Sequence, residues 1–395
     1  MQALSLKTLQ RWTQGFRSPV RRLMYRLPFS GAIKPPKGFL VSTEAEYDAS
    51  QYFVLHSAHT ISRTKPKTLG NDIDREFANR LEYNSPATFI AVIPDGRVAG
   101  HSVITSDDYL LADVSIEATV LPKNAEKHSI FKSAFLPPIR HVPGHIAVLS
   151  AAHCENNYFH WMFNLLPRIE LLRHGGFDIS NIDAFVVNNS TLSFQKETLA
   201  LLGISNLLDG KANPHIQADV LIVPSLPGVM GDIPKWVCNF LRREFLKPWE
   251  RSEVTHPKLI YIRRKNAKYR KLAKEDTLIG LVKDHGFEVF ELESLKFQEQ
   301  VSLFNSARVV VAPHGAGLTN LVFCNPGTKV IEMFSPKYVN GCYWALSNHV
   351  ELDYYYLLGE GERPQEDLSH SGGGDKYEID KTKMVSLLNT VMDKM

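Results

Sequence analysis

Cysteine is scarce. Cys154, Cys238, Cys324 and Cys342 are the four among 395 residues, scattered without a C-x-x-C pair. That pattern excludes a zinc framework and the dense disulfide set of a small secreted domain, so free thiols in a reducing compartment are the simpler reading. No apolar run approaches the ~20 residues that cross a bilayer. The N-terminus is positively charged but has no uninterrupted apolar stretch behind it, so it fails as a secretory signal and a cytoplasmic location is expected. The absence of G-x-x-x-x-G-K-[ST] removes P-loop phosphoryl transfer. Excess charge is lacking too: 45 Lys and Arg face 42 Asp and Glu, a net of +3. Eight of the basic residues (Lys7, Arg11, Arg17, Arg21, Arg22, Arg26, Lys34, Lys37) precede the first acid, Glu44, which leaves the rest of the chain at −5. A nucleic-acid binder is not built this way.

What is present begins with that basic arm, residues 1–38. Leu9, Trp12, Phe16 and Val20 recur in it at helical spacing among arginines, a pattern suited to peripheral contact with a membrane surface or to docking. Residues 39–125 read as a β-rich element, with Thr88–Ile93 and Arg97–Gly100 forming a hairpin across Pro94-Asp95-Gly96 and a further β-like run at His101–Thr105. From about 140, strands alternate with helices in two series. Strands at His145–Leu149, Ala184–Val187 and Val220–Val223 alternate with helices at Tyr158–Arg173 and Ser193–Leu202. After a helix at Lys235–Leu246, strands at Leu259–Ile262, Phe287–Glu291, Val309–Ala312 and Val330–Phe334 alternate with helices at Lys274–His285, Phe297–Ser306 and Leu318–Phe323. Such alternation implies right-handed crossovers and parallel sheets. The expected fold class is α/β, with two Rossmann-like domains at 126–245 and 246–365 facing a cleft, and a tail and helix at 366–395.

Three stretches carry the chemistry. In Val309-Val310-Val311-Ala312-Pro313-His314-Gly315-Ala316-Gly317-Leu318-Thr319-Asn320, an apolar strand runs into a small-residue loop that opens a helix. Glycines allow close backbone approach, and helix N-terminal N–H groups favour an anion, although a tight βα turn can also use glycine for packing alone. Glu332 closes the next strand, placed to accept from ribose hydroxyls. The run Arg263 to Lys271 holds six basic side chains directly after the strand Leu259–Ile262, where they would neutralise a diphosphate or, on the bland reading, form a solvated loop. The third stretch is Asn156 to Arg168. Tyr158, Met162, Leu165, Ile169 and Leu172 mark the core face of a helix, while His160, Asn164 and Arg168 share another stripe as a cleft wall; a core histidine beside a solvated arginine is the plainer alternative. Pro167 implies a kink. Two other patterns carry little weight. Asp72-Ile73-Asp74 fits the D-x-D of metal-dependent sugar transfer but sits among Arg75, Glu76 and Arg80. His153, Cys154 and His160 lack a fourth metal ligand.

Taken together, these motifs resemble glycosyltransferase family 61. Asn157-Tyr158-Phe159-His160-Trp161 through Leu166-Pro167-Arg168, Arg264 through Ala267 with Arg270, and Ala312–Asn320 with Pro326-Gly327 and Val330-Ile331-Glu332 carry the resemblance, over about 150–350. It implies a GT-B fold, inverting transfer from a nucleotide sugar and no obligatory metal or other cofactor. By the family's pattern Arg264, Arg270, His314, Gly315, Ala316, Gly317, Thr319 and Asn320 hold the donor diphosphate, Glu332 the ribose, and the His160 helix faces the acceptor, with Glu155, Asn164 and Arg168 on that side. Two positions depart from the pattern. The basic motif begins Arg263-Arg264 where Ser-Arg is common, and Asn164 stands where a carboxylate is common. An amide cannot take a proton, so His160 becomes the first candidate for general base, with Glu155 and His153 behind it.

The leading expectation is therefore a glycosyltransferase acting on a nucleotide sugar, UDP favoured, and a glycan or lipid-linked acceptor in surface polysaccharide synthesis. The competing readings are an NAD-dependent oxidoreductase or epimerase, for which Gly315-Ala316-Gly317 lacks the third glycine, and a catalytically silent nucleotide-sugar-binding protein, which Asn164 would suit.

Overall fold

The computed structural model describes residues 33–70, 72–117, 120–229, 231–246, 256–365 and 376–394. The helical pattern of the basic arm and the tail up to residue 375 lie outside them. The chain forms two compact units. One joins the chain up to His59 to the stretch beginning at Pro86; the other joins Thr60–Ser85 to the stretch beginning at Gly231.

In the first unit, β2 (Arg140–Val148), β3 (Ala184–Val187) and β4 (His215–Pro224) run parallel in the order β4-β2-β3, with Leu207–Asp209 parallel beyond β3. On the other flank of β4 lies β1 (Thr88–Pro94), antiparallel, followed by Arg97–Ala99 along the same strand. The expected hairpin at Pro94-Asp95-Gly96 is thus a bulge in one continuing line. Asp95, at φ 53°, donates its N–H to Asp219 O at 3.0 Å, and Gly96 O accepts from Ala218 N at 3.1 Å. The chain reverses one step later, between Arg97–Ala99 and Ser102–Ile104, through Gly100 at φ 64°.

Nor do residues 39–125 form an element of their own: Thr60–Ser85 belongs to the second unit, and the strands from Thr88 join the first α/β sheet. Thr88–Ile93 is buried at every position, and a strand apolar on both faces needs cover on both. Phe89, Ala91 and Ile93 accordingly share one core with Ile146, Val148, Leu221 and Val223.

The helix expected at Tyr158–Arg173 occurs in three parts: α1 (Tyr158–His160), a π-helical turn over Trp161–Leu165, and α2 (Pro167–His174). Pro167 has no N–H and its ring crowds the carbonyl four residues back; the wider turn, with Leu166 N donating to Trp161 O at 3.1 Å, absorbs it. Met162, Leu165, Ile169 and Leu172 are fully buried, as their spacing implies. Helix α3 (Ser193–Leu201) follows β3.

The second unit contains α4 (Lys235–Phe245), β5 (Leu259–Ile262), α5 (Glu275–Asp284), β6 (Glu288–Phe290), α6 (Phe297–Ser306), β7 (Val309–Pro313), β8 (Lys329–Phe334), α7 (Cys342–Val350), β9 (Asp353–Leu358) and α8 (Lys381–Met392). Five strands form its main sheet, all parallel, in the order β6-β5-β7-β8-β9. Alternation then sorts the side chains. Val309, Val311, Ile331, Met333, Tyr355 and Leu357 face a core shared with Leu278, Ile279 and Val282 of α5 and Met384, Leu387, Leu388 and Val391 of α8. The C-terminal helix, expected in a separate tail, is therefore part of this core. On the opposite face Phe77, carried in from Thr60–Ser85, meets Tyr356 at 4.6 Å and Trp344 at 5.4 Å between ring centroids. The same segment brings Arg63 and Arg80 to Asp232, at 2.7 and 2.8 Å. No helix among the described residues is long and apolar enough to cross a membrane. All four cysteines are buried free thiols.

Candidate functional site

The order of the second sheet reverses at β5 and β7: from β5 the chain steps outward to β6, then returns to β7 on the other side. Ligands of open α/β sheets collect outside the carboxyl ends of the strands at such a switch point. Arg263 and Arg264 leave β5 there, and His314 and Gly315 leave β7 beside them. Arg264 donates from Nη1 to His314 O at 2.6 Å, across the switch point. Its stem lies flat on Gly315, where an added Cβ would come within 2.8 Å of Arg264 Cδ. The backbone at Gly315 is extended, so the glycine is needed for this approach and not for its φ. Gly317 serves packing instead: a Cβ there would meet Leu292 Cδ1 at 2.8 Å. Ala316, between them, is exposed.

Arg270 is buried, sits at φ 50°, and lays its guanidinium 4.3 Å from the centre of the Tyr338 ring. Burial, then the repulsion of Arg264, lowers its pKa. Tyr338 in turn lies 5.7 Å from the His314 ring, and Tyr343 lies 5.4 Å from it. Arg264, Arg270 and His314 therefore belong to one cluster. The rest of the basic run divides differently: Arg263 pairs with Asp276 at 2.8 Å and Lys265 with Glu291 at 3.6 Å, while Lys268 and Lys271 are exposed.

Thr319 and Asn320 are fully buried. Asn320 donates to Gln300 Oε1 at 2.9 Å and to Gly317 O at 3.3 Å, so it ties the tight helix Ala316–Phe323 to α6. Glu332, expected at a ribose, faces inward instead. It has no exposed surface; Oε1 meets His314 Nδ1 at 2.5 Å, and Oε2 accepts from the Tyr354 hydroxyl at 2.5 Å. Its even position on β8 turns it to the aromatic face of the sheet, away from solvent. Desolvation raises its pKa well above the ordinary carboxylate value, which favours the uncharged acid.

The first unit has its own reversal, at β2 between β4 and β3. The loop leaving β2 carries Glu155 and His153. Asn188 clamps the loop, accepting from Ala151 N at 2.9 Å and donating to Ala151 O at 2.8 Å and Glu155 Oε1 at 2.9 Å. Gln195 of α3 donates to Glu155 O at 2.9 Å. These amides were missed in the sequence, although two asparagines directly after the apolar strand Ala184–Val187 were a usable signal. Asn157 caps α1, accepting from Phe159 N at 3.0 Å. His153, exposed and at φ 66°, brings its ring to 5.4 Å from that of half-buried His160. Strain of this kind in a non-glycine residue collects at functional sites.

Arg168 does not share a wall with His160 and Asn164. The π turn shifts the helical stripe, and Arg168 points into the core with no exposed surface, donating from Nη1 to Ser150 O at 2.7 Å and Val148 O at 3.3 Å. Burial pulls its pKa down to about 10. Asn164 remains partly exposed within the turn. Cys154 donates its thiol to His160 O at 3.3 Å, and burial pushes its pKa upward, which suits a packing role better than metal ligation. Asp74 caps a short helix and takes a bidentate pair from Arg363, at 2.8 and 3.1 Å, so the second acid of the D-x-D is engaged structurally. Outside both switch points, His101, Glu117 and His128 gather their ligand atoms within 4.8 Å. There His128 Nδ1 accepts from Ile130 N at 3.1 Å, leaving the proton on Nε2, which donates to Ser115 O at 2.9 Å; neither lone pair is offered to a metal.

Each unit thus places polar side chains at the switch point of an α/β sheet, where ligands of open sheets collect. Residues 158–331 match the family model Glycosyltransferase 61. A stretch of 63 residues is 38% identical to the beta-1,2-xylosyltransferase RCN11 of Oryza sativa subsp. japonica; it covers 16% of this chain and only 12% of that relative. The match to that family falls on the stretch of chain whose motifs suggest it. His160, Asn164, Arg168, Arg264, Arg270 and His314–Asn320 fall inside the match, Glu332 falls one residue beyond it, and Glu155 lies before it.

Proposed function

We propose that this chain is an inverting glycosyltransferase of the GT-B class. It would move a sugar from a UDP-linked donor to a glycan or lipid-linked acceptor in surface polysaccharide synthesis. One observation carries the donor half: Arg264 lies across Gly315 at the sheet's switch point, with Arg270 behind Tyr338. Fixed guanidinium groups can stabilise negative charge on a departing diphosphate, the part a metal ion plays in other transferases. In the transfer, an acceptor hydroxyl oxygen bonds to the anomeric carbon while the bond from that carbon to the phosphate oxygen breaks. The hydroxyl proton needs a base. His160, next to strained His153, is the leading candidate, with Glu155 held by Asn188 as the second.

A thermal-shift screen of the full chain with UDP, GDP, CDP and NAD, each with EDTA and with Mn²⁺, tests the donor site. Ligand at 100 times its dissociation constant adds about 2.7 kcal/mol, a shift of a few degrees. The expected result is a shift with UDP that survives EDTA and disappears in Arg264→Ala. A shift confined to NAD, or to samples containing Mn²⁺, overturns this reading. UDP-xylose and UDP-glucose in the same format then separate a pentosyl from a hexosyl donor.

A further inference from the structure

We propose that His314 and Glu332 hold one proton between them, and that a diphosphate arriving beside Arg264 draws it onto the histidine. Glu332 would then be a positioning residue that equips the site with a cation on demand. The inference rests on the donor-site reading and adds a proton reservoir to it.

The geometry is a single line of contacts. The Tyr354 hydroxyl donates to Glu332 Oε2, and Glu332 Oε1 lies 2.5 Å from His314 Nδ1. His314 is itself held in place: its N–H donates to Met333 O at 2.8 Å, its carbonyl accepts from Arg264, and its ring stacks on Phe334 at 5.1 Å. Tyr354 from β9, Cys342 and Tyr343 from α7, and Tyr377 just before α8 also interact electrostatically with Glu332. Burial raises the pKa of each, so all four are protonated near neutrality and do not compete for the proton. Arg264 and Arg270 bring positive charge to the same cluster.

His314 is thus the acceptor within reach. The transfer breaks the Glu332 O–H bond and forms an N–H bond at Nδ1, turning an acid and a neutral imidazole into a carboxylate and an imidazolium. Net charge and proton count do not change. Separating charge in a buried site is unfavourable by itself. A diphosphate beside the imidazolium reverses that balance, so the cation forms when there is an anion to meet it.

The test is calorimetry of the full chain with UDP-glucose and UDP-xylose, whose diphosphate diesters do not titrate near neutrality. Titrations run in buffers of different ionisation heat, at pH 7 and 8.5. Wild type should bind without net proton uptake and with similar affinity at both pH values. Glu332→Gln keeps the hydrogen-bonding shape but has no proton to lend. It should take up to one proton from solvent, and its affinity should fall toward about tenfold per pH unit. Glu332→Asp, which pulls the carboxyl back from His314, should behave likewise and covers the case in which the glutamine variant fails to fold. Wild-type-like binding by both variants at pH 8.5, without uptake, overturns the proposal.

Spectra of ¹⁵N-histidine-labelled protein follow the proton directly, before and after ligand is added. His314 should show a neutral ring with Nδ1 as acceptor and become imidazolium on binding. If neither sugar nucleotide binds wild type, the donor reading fails and the ligand-driven transfer with it. A His314 signal that titrates near 6.5 regardless of Glu332 sinks the shared proton independently.

Discussion

A methyl group at position 315 would fall 2.8 Å from Arg264 Cδ, and the arginine would have to leave the contact. Gly315→Ala should therefore keep the fold, since the backbone there is extended, but lose the Arg264–His314 hydrogen bond. An interaction of that kind is worth about 1–3 kcal/mol, so the thermal midpoint should fall by several degrees, and UDP affinity should drop about tenfold as the guanidinium leaves its place. Titration of the variant with UDP checks it; unchanged affinity would remove Gly315 from the site. At this scale much of the cluster at the second sheet's switch point was legible. Arg264, His314 and Gly315 each follow an apolar strand whose carboxyl end is visible in the sequence. Glu332 was misread because alternation along β8 gives the face a side chain occupies, not its neighbours, and only the fold brings His314 and Tyr354 to it. Asn320 went astray similarly: its partner, Gln300, comes from a different helix.

Between strand and helix, Arg168 acts as a tie. It anchors the helix after the π turn to the carbonyls where β2 ends, at the root of the loop that carries His153 and Glu155. Its Nε and Nη2 have no hydrogen-bond partner among the described residues, so the side chain is costly to bury and costly to remove. Arg168→Ala should destabilise the protein by about 3–5 kcal/mol, through orphaned carbonyls and a cavity, as read by denaturant midpoint. A loss below about 1 kcal/mol would show that the loop closes without it. Element positions were largely readable, because the apolar runs of β5 and β7 and the periodicity of α6 are strong local signals. Two geometries were not. The π turn depends on how a proline is accommodated in a packed helix, and the bulge at Asp95 depends on β4, more than a hundred residues downstream.

For the molecule as a whole, pH is the informative variable. His349 is nearly buried, its Nε2–H donating to Ile233 O at 2.7 Å, and burial lowers its pKa to about 4. The unfolded chain takes up this proton near 6.5 and the folded protein resists until about 4. Stability from this group is therefore whole above 6.5 and lost as pH falls from there toward 4, on the order of 3 kcal/mol. Glu117, lowered to about 2 chiefly by hydrogen bonds from His101 and Ser129 against the cost of burial, extends the loss into stronger acid. Glu332, raised in the fold, works in the opposite direction, its contribution being fullest below the ordinary carboxylate range. Thermal midpoints from pH 7.5 to 5 should fall for wild type and fall less for His349→Gln, which keeps a donor for Ile233. Parallel curves would assign the acid sensitivity elsewhere.

The segment Thr60–Ser85 supplies Phe77, Arg63 and Arg80 to a unit whose remaining residues begin at Gly231. On a ribosome it is made early and needed late. At about 5–20 residues per second, some 15 to 55 s separate its synthesis from that of β9, whose Tyr354 and Tyr356 it pairs with through Lys67. For that interval its apolar phenylalanine and open strand edges have no native partner.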